Sequence, residues 1–177
     1  NMKKILITGG CGFVGRHLTN RLLENSEIEI TVVDNMYKGS GCIHPNVWPS
    51  IFKNNRSNVN FVYQDCRDFF KETNTEFDQI YHLAAIVGGR MVIENDPLAV
   101  GVDLSIDAEF FYWLSNLKNR PEKVHYFSSS ASYPVNYQKR ENQVVLEEKF
   151  IDFDTEFIGV ADLTYGWSKN NAYFYQM

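Results

Sequence analysis

The chain has 177 residues, 44% hydrophobic and 22% charged, with a formal net charge of −5. That is one domain's worth of ordinary globular composition. The lack of a basic block excludes nucleic acid as an expected partner, and no apolar run approaches the roughly 18 residues of a membrane span.

Residues 4–8 form an apolar run that reads as the first strand. It starts so early that no signal peptide is expected before it. The run passes into Thr8-Gly-Gly-Cys-Gly-Phe-Val-Gly15, and a helical pattern follows over 13–24. Gly10, Gly12 and Gly15 satisfy G-x-G-x-x-G, and Gly9, Gly12 and Gly15 satisfy G-x-x-G-x-x-G. Glycines allow a tight turn and let backbone approach a pyrophosphate. The helix that opens at Phe13 and Val14 then offers free N–H groups and a positive dipole end.

A second strand is expected over 29–34. Its last residue, Asp34, lies 19 positions after Gly15, close to the spacing of an acid that grips ribose hydroxyls. An acid there favours NAD over NADP, because a 2′-phosphate would meet a negative charge. Further strands are expected over 58–64, 79–84 and 123–129. Further helices are expected over 67–73, 97–118 and 163–177. This alternation argues for right-handed βαβ units and a parallel sheet. Runs such as ILIT, TVVD, IYHLAA and VHYFSS fit strands buried on both faces. Two longer stretches, 35–58 and 134–161, interrupt the rhythm at strand ends, where such folds bind substrates.

The helix over 97–118 carries Phe110, Phe111, Tyr112, Trp113, Leu114 and Leu117. Most are expected in the core. Any apolar face beyond what the sheet covers points to a homodimer through this helix and the one over 163–177. Cys11, Cys42 and Cys66 are odd in number and lack C-x-x-C spacing, which points to a reducing cytoplasm and to no metal site.

The last helix opens on Tyr165-Gly-Trp-Ser-Lys169. Tyrosine and lysine four apart share a helix face. A cation there is expected to lower the tyrosine pKa from ~10 towards neutrality and make it a base for an alcohol proton. Such a pair alone is a common coincidence. Its place after the fifth strand, which runs into Phe127-Ser-Ser-Ser-Ala-Ser-Tyr-Pro134, gives it weight.

Taken together, TGGCGFVG, Asp34-Asn35, QDCRD (64–68), HLAA (82–85), FSSSASYP and YGWSK resemble the extended short-chain dehydrogenase/reductase family, in its branch of NAD-dependent sugar-nucleotide epimerases and dehydratases. The resemblance implies a Rossmann-type doubly wound parallel sheet of order 3-2-1-4-5. It implies that Tyr165 is the base, that Lys169 binds the nicotinamide ribose and holds Tyr165 ionised, and that a serine assists. Alignment on Tyr133 makes that serine Ser129, whereas alignment on the preceding phenylalanine chooses Ser130; Ser129 is taken. Gly9, Gly12, Phe13, Val14 and Gly15 would meet the pyrophosphate. Asp34 and Asn35 would hold the adenosine ribose, Asp65 and Cys66 the adenine, and Leu83, Ala84 and Ala85 would line the cofactor.

Departures from the family pattern narrow the chemistry. Ala131, two before Tyr133, stands where relatives that eliminate water or decarboxylate usually carry glutamate, and where GDP-sugar 3,5-epimerase/reductases carry cysteine. Alanine does neither acid–base job, which favours oxidation and re-reduction at C4. Asp103, six after Pro97, stands where the family often has asparagine, and no role is assigned to it. Val87-Gly-Gly resembles the substrate-side turn of GDP-sugar enzymes. The expected function is therefore a C4 epimerase acting on a UDP-, GDP-, CDP- or dTDP-linked sugar. The alternatives are a dehydrogenase or dehydratase that releases a keto-sugar, and a non-catalytic NAD sensor. Members of the family run to about twice this length. Residues 1–177 are thus expected to be the NAD-binding domain, truncated before a C-terminal substrate-binding domain and poorly active alone.

Overall fold

The computed structural model describes residues 2–48, 56–87, 90–139, 141, 144–151 and 159–175. Five strands, β1 (Lys3–Thr8), β2 (Ile28–Asp34), β3 (Val59–Tyr63), β4 (Gln79–His82) and β5 (Lys123–Tyr126), form one sheet of order β3-β2-β1-β4-β5. Every pairing is parallel. This is the predicted Rossmann-type topology. The helices are α1 (Phe13–Leu22), α2 (Cys66–Glu72), α3 (Arg90–Asn95), α4 (Pro97–Ser115) and α5 (Leu163–Tyr175).

β1 is central because its Ile5-Leu6-Ile7 run has no polar side chain to show to water. Ile7 pairs with Val32 on one side and Tyr81 on the other. Ile5, Ile7, Leu23, Ile28, Ile30, Val32 and Trp48 form one buried cluster around it. Each such aliphatic contributes about 1.5–3 kcal/mol on burial. The chain order reverses between β1 and β4, so their carboxyl ends flank the switch point at which open α/β sheets bind ligands. There Thr8 Oγ1 lies 2.8 Å from Nδ1 of buried His82 and accepts the Ala84 N–H at 3.3 Å, which ties the two strand ends together.

The chain forms two compact units. One is Asn1–Ala85 with Tyr112–Phe127 and contains the sheet; the other is Ile86–Phe111 with Ser128–Met177. The second contains α3, which the sequence pattern did not reveal. Six residues are too few to display a 3.6-residue period, and Pro97 ends the helical run before it. Asp96 then starts α4 by accepting the Ala99 N–H at 3.1 Å, with Pro97 in the first helical position. β4 and β5 stop at His82 and Tyr126, short of the expected 84 and 129.

Gly9 has φ +69, and a β-carbon on it would come within 2.7 Å of the Ala84 backbone nitrogen. Gly9→Ala is therefore expected to destabilise the fold by about 2–4 kcal/mol, from left-handed strain plus overpacking against backbone. Thermal or urea unfolding checks this; an unchanged midpoint would show that the loop yields.

Candidate active site

In the sheet-bearing unit the glycine loop is held from two sides. The Asp34 carboxylate, buried at the end of β2, accepts the Cys11 N–H at 2.9 Å with Oδ2 and the Met36 N–H at 2.8 Å with Oδ1. The Gly9 N–H donates to the Val33 carbonyl at 2.8 Å. Asp34 thus clasps the loop with Oδ2 and its own strand end with Oδ1, while each oxygen keeps further acceptor capacity. Gly12 is the N-cap of α1, with no side-chain cap and no acid in the first turn, so the positive end of the helix dipole there is not offset by a side chain of its own first turn. Phe13 and Val14 are exposed there, and Gly15 is buried.

The other residues expected around a cofactor have local tasks. Asn35 is exposed and accepts the Tyr37 N–H at 3.1 Å. Asp65 caps α2 through the Arg67 N–H at 2.9 Å and pairs with the Arg67 guanidinium at 2.8 Å. The Arg67 hydrogen bond holds the Asp65 carboxyl below its usual range, against partial burial. Cys66 is buried, and Leu83, Ala84 and Ala85 are half-buried beyond β4. All three cysteines are free thiols. Burial and the nearby Asp34 push the Cys11 thiol far up, so it is no nucleophile. Among the described residues no group of three or more His, Cys, Asp or Glu side chains is placed to hold a metal, and no helix is long and apolar enough to cross a membrane.

In the second unit, α5 lies against the short 3-10 turn Ser130–Ser132. The contact is so close that a β-carbon on Gly166 would fall on the Ala131 carbonyl oxygen. The Asp162 N–H donates to that same oxygen at 3.0 Å, and the Asp162 carboxylate takes Arg90 at 2.8 Å. Leu163 follows with φ +51, a left-handed conformation for a residue with a β-carbon, costing roughly 1–3 kcal/mol. These contacts fix where α5 starts and so where Tyr165 sits. Ser129, half-buried, accepts the Ala131 N–H at 3.2 Å and hydrogen-bonds the Tyr165 phenol. Ser130 is exposed, with its carbonyl accepting from Gln138 at 3.1 Å. Lys169 is buried, its Nζ 5.8 Å from the Tyr165 ring centroid.

One electrostatic expectation is overturned. The Tyr165 phenol is pushed up, not down: first by burial, then by Asp103, with Asp107 adding to it and only the Ser129 hydrogen bond opposing. Burial is the larger cause, and the acids that add to it lie on α4. The charge of Lys169 acts on Asp103, helping to hold that carboxyl down. Sequence reasoning left Asp103 without a role and missed Asp107, Gly166 and the Arg90–Asp162 pair. The i, i+4 spacing of the two aspartates in a largely apolar helix was the available signal. Gly88 and Gly89 of the Val87-Gly-Gly turn lie outside the described residues.

Two outcomes follow from this geometry. Ser129→Ala removes the hydrogen bond that favours the phenolate, so the Tyr165 titration should move to higher pH, read by NMR of ¹³Cζ-labelled tyrosine with Tyr165→Phe for assignment. Gly166→Ala should push α5 off the 130–132 turn and lower the unfolding midpoint, by about 1–3 kcal/mol for overpacking against a carbonyl. A wild-type melting curve for that variant would contradict the close contact.

Comparison with known proteins places these motifs. Residues 5–152 match the model of the NAD dependent epimerase/dehydratase family. UDP-glucuronic acid decarboxylase 1 of Danio rerio is 43% identical over 83 residues, 47% of this chain and 18% of that protein. A putative UDP-glucose 4-epimerase of Methanocaldococcus jannaschii is 31% identical over 98 residues, 51% of this chain and 27% of that protein. In structure, the UDP-glucuronic acid 4-epimerase of Bacillus cereus, solved with UDP-glucuronic acid and NAD, superposes with a TM-score of 0.67 at 23% identity, covering 97% of this chain and 50% of that one. The chain thus spans about half the length of the solved chains it matches. With a family match over most of its length and the parallel 3-2-1-4-5 sheet, the chain belongs to the NAD-dependent epimerase/dehydratase family, of the extended short-chain dehydrogenase/reductase type.

Proposed function

We propose that these residues are the NAD-binding, base-bearing part of a sugar-nucleotide 4-epimerase. The observation that carries the reading is the Ser129–Tyr165–Lys169 cluster with Ala131, rather than an acid, beside it. The uncapped amino end of α1 and the glycine loop suit a pyrophosphate, and Asp34 and Asn35 suit the adenosine ribose. Asp65, Cys66, Leu83, Ala84 and Ala85 belong to the adenine and nicotinamide sides of the same proposal. The chemistry NAD supplies when bound is reversible hydride acceptance at the sugar carbon.

The protein's own part is proton handling. Tyr165 takes the proton of the C4 hydroxyl as the carbon is oxidised and gives it back on re-reduction. Ser129 hydrogen-bonds the phenolic oxygen and supports its anionic form. Lys169 supplies positive charge and a donor for the nicotinamide ribose. Inversion follows when the 4-keto sugar turns over before re-reduction. The sugar carrier is proposed as a nucleoside diphosphate, with UDP first because the relatives described above act on or bind UDP-sugars.

A decarboxylase is the second reading, favoured by the 43% local identity to the zebrafish enzyme. It shares the C4 oxidation and then loses CO₂ from a uronic acid. Exposed Leu98 on α4 and Trp167 and Phe174 on α5 support the further proposal of a homodimer through these helices.

The test uses the full-length protein that carries these residues, with NAD and a panel of UDP-, GDP-, CDP- and dTDP-sugars. The expected product is the C4 epimer, with no net NADH absorbance and no CO₂. Tyr165→Phe should lower kcat by about 10²–10⁴-fold, the usual contribution of a positioned base. CO₂ release would favour the second reading. Full activity in Tyr165→Phe would remove Tyr165 from the mechanism.

A further inference from the structure

The 3-10 turn Ser130–Ser132 carries Ala131 and is three residues long. Within it the Ser132 N–H donates to the Ser129 carbonyl at 3.1 Å and the Tyr133 N–H to the Ser130 carbonyl at 3.1 Å. Turns of this kind have poor hydrogen-bond geometry and leave carbonyls that need further donors. The middle of the turn is held from the start of α5, where the Ala131 carbonyl takes the Asp162 N–H. Its two ends are held by one side chain that the mechanism above does not use.

That side chain is Gln138. It closes a second 3-10 turn, Val135–Gln138, which follows directly on Tyr133-Pro134. Its Nε2 donates to the Ser130 carbonyl at 3.1 Å and to the Tyr133 carbonyl at 3.0 Å. A primary amide has two N–H groups, so both are used, one at each end of the first turn. The second turn is anchored in its own right. The Tyr137 N–H donates to the Pro134 carbonyl at 3.1 Å, and the Val135 N–H to the Val160 carbonyl at 2.9 Å. The arm that carries Gln138 is therefore fixed to the same stretch from which α5 starts.

What the first turn presents is Ser129. As its N-cap, Ser129 accepts the Ala131 N–H on Oγ at 3.2 Å. That bond uses one lone pair and leaves the hydroxyl hydrogen for the Tyr165 phenol. The direction of the hydroxyl thus depends on where the Ala131 N–H stands, and so on the shape of the turn. We infer that Gln138 is a positioning residue for the base: its amide locks the 130–133 turn and thereby aims the Ser129 hydroxyl at Tyr165. This rests on the reading of Ser129 and Tyr165 as the proton-handling pair. Gln138 is exposed, so it acts by hydrogen bonding and not by filling the core. The task needs donors. Glutamate has the same length but no N–H when ionised, and at neutral pH it would turn oxygen towards two carbonyls.

The experiment is a double-mutant cycle between Gln138→Ala and Ser129→Ala in the full-length protein, read by ¹³Cζ-tyrosine NMR titration and by steady-state kinetics. Gln138→Ala should move the Tyr165 midpoint to higher pH, in the same direction as Ser129→Ala. In the Ser129→Ala background it should add nothing, because Gln138 acts through that hydroxyl. Its kcat should fall by about 2–10-fold, the scale of one or two exposed hydrogen bonds, with KM for the sugar nucleotide unchanged. Gln138→Glu should lose at least as much activity as the alanine variant, and it decides the matter if Gln138→Ala does not fold. An unmoved Tyr165 midpoint in folded Gln138→Ala would overturn the proposal, as would a shift of equal size with Ser129 already removed. A raised KM with the midpoint unmoved would make Gln138 a substrate contact and overturn it too. The titration needs no turnover, so absence of sugar conversion with the shifts intact would sink the functional reading alone. Conversion with a Tyr165 midpoint indifferent to Gln138 would sink only the positioning role.

Discussion

A backbone carbonyl, that of Ala131, occupies the place a β-carbon on residue 166 would need, and the placement of Tyr165 beside Ser129 depends on that contact. Because residue 166 is glycine, α5 comes down onto the 130–132 turn. The same carbonyl takes the Asp162 N–H, so one oxygen both seats the helix and fixes the residue before it. Arg90 holds the Asp162 carboxylate from α3. Tyr165 follows three residues later with little freedom left, close enough for the Ser129 hydroxyl to reach its phenol. Preorganisation of this kind suits the role proposed for Tyr165, since proton transfer requires hydrogen-bond distance before it requires a matched pKa.

The glycine loop obeys a related constraint from the sheet. β1 is central and enclosed on both sides, so the chain leaving it must turn at once, with the Leu83–Ala84 backbone close by. Asp34 completes the turn by taking N–H groups from the loop and from its own strand end. A residue read from sequence as a ribose ligand is therefore also a structural clasp. The two tasks are compatible, because a carboxylate oxygen has more than one lone pair to offer. Substituting Asp34 would disturb the loop as well as the ribose contact proposed for it, so effects on cofactor affinity there cannot be read as contact energies alone.

The sheet was legible because parallel strands buried on both faces leave nearly unbroken apolar runs, as in Ile5–Ile7 and Thr31–Val33. The Tyr165–Lys169 pair was legible because a helix puts i and i+4 on one face. Less legible was anything set by packing between segments distant in sequence. α3 is too short to display a period. Gly166 looked like an arbitrary middle residue of a Y-x-x-x-K pattern until its neighbour across the contact was known. The direction of the Tyr165 shift was misread for the same reason: spacing predicts that a lysine is near a tyrosine, but not that the phenol is buried, with acids of another helix adding to the effect.

Ala131 bears on the chemistry more than the identity figures do. The decarboxylase and epimerase readings share one opening step, removal of hydride and a proton at C4, and that step needs only the serine, tyrosine and lysine together with the cofactor. They part afterwards. Loss of CO₂ from a 4-keto uronic acid is driven by the ketone already formed, so an extra acid would assist it without being indispensable. Return of hydride to the opposite face needs room for the sugar to turn and no group that commits it to elimination. A small apolar residue two positions before Tyr133 provides that neutrality. Local identity over 83 residues reports common ancestry of the scaffold. On the proposed reading, the methyl group of Ala131 leaves no side-chain acid at that position to commit the sugar to elimination.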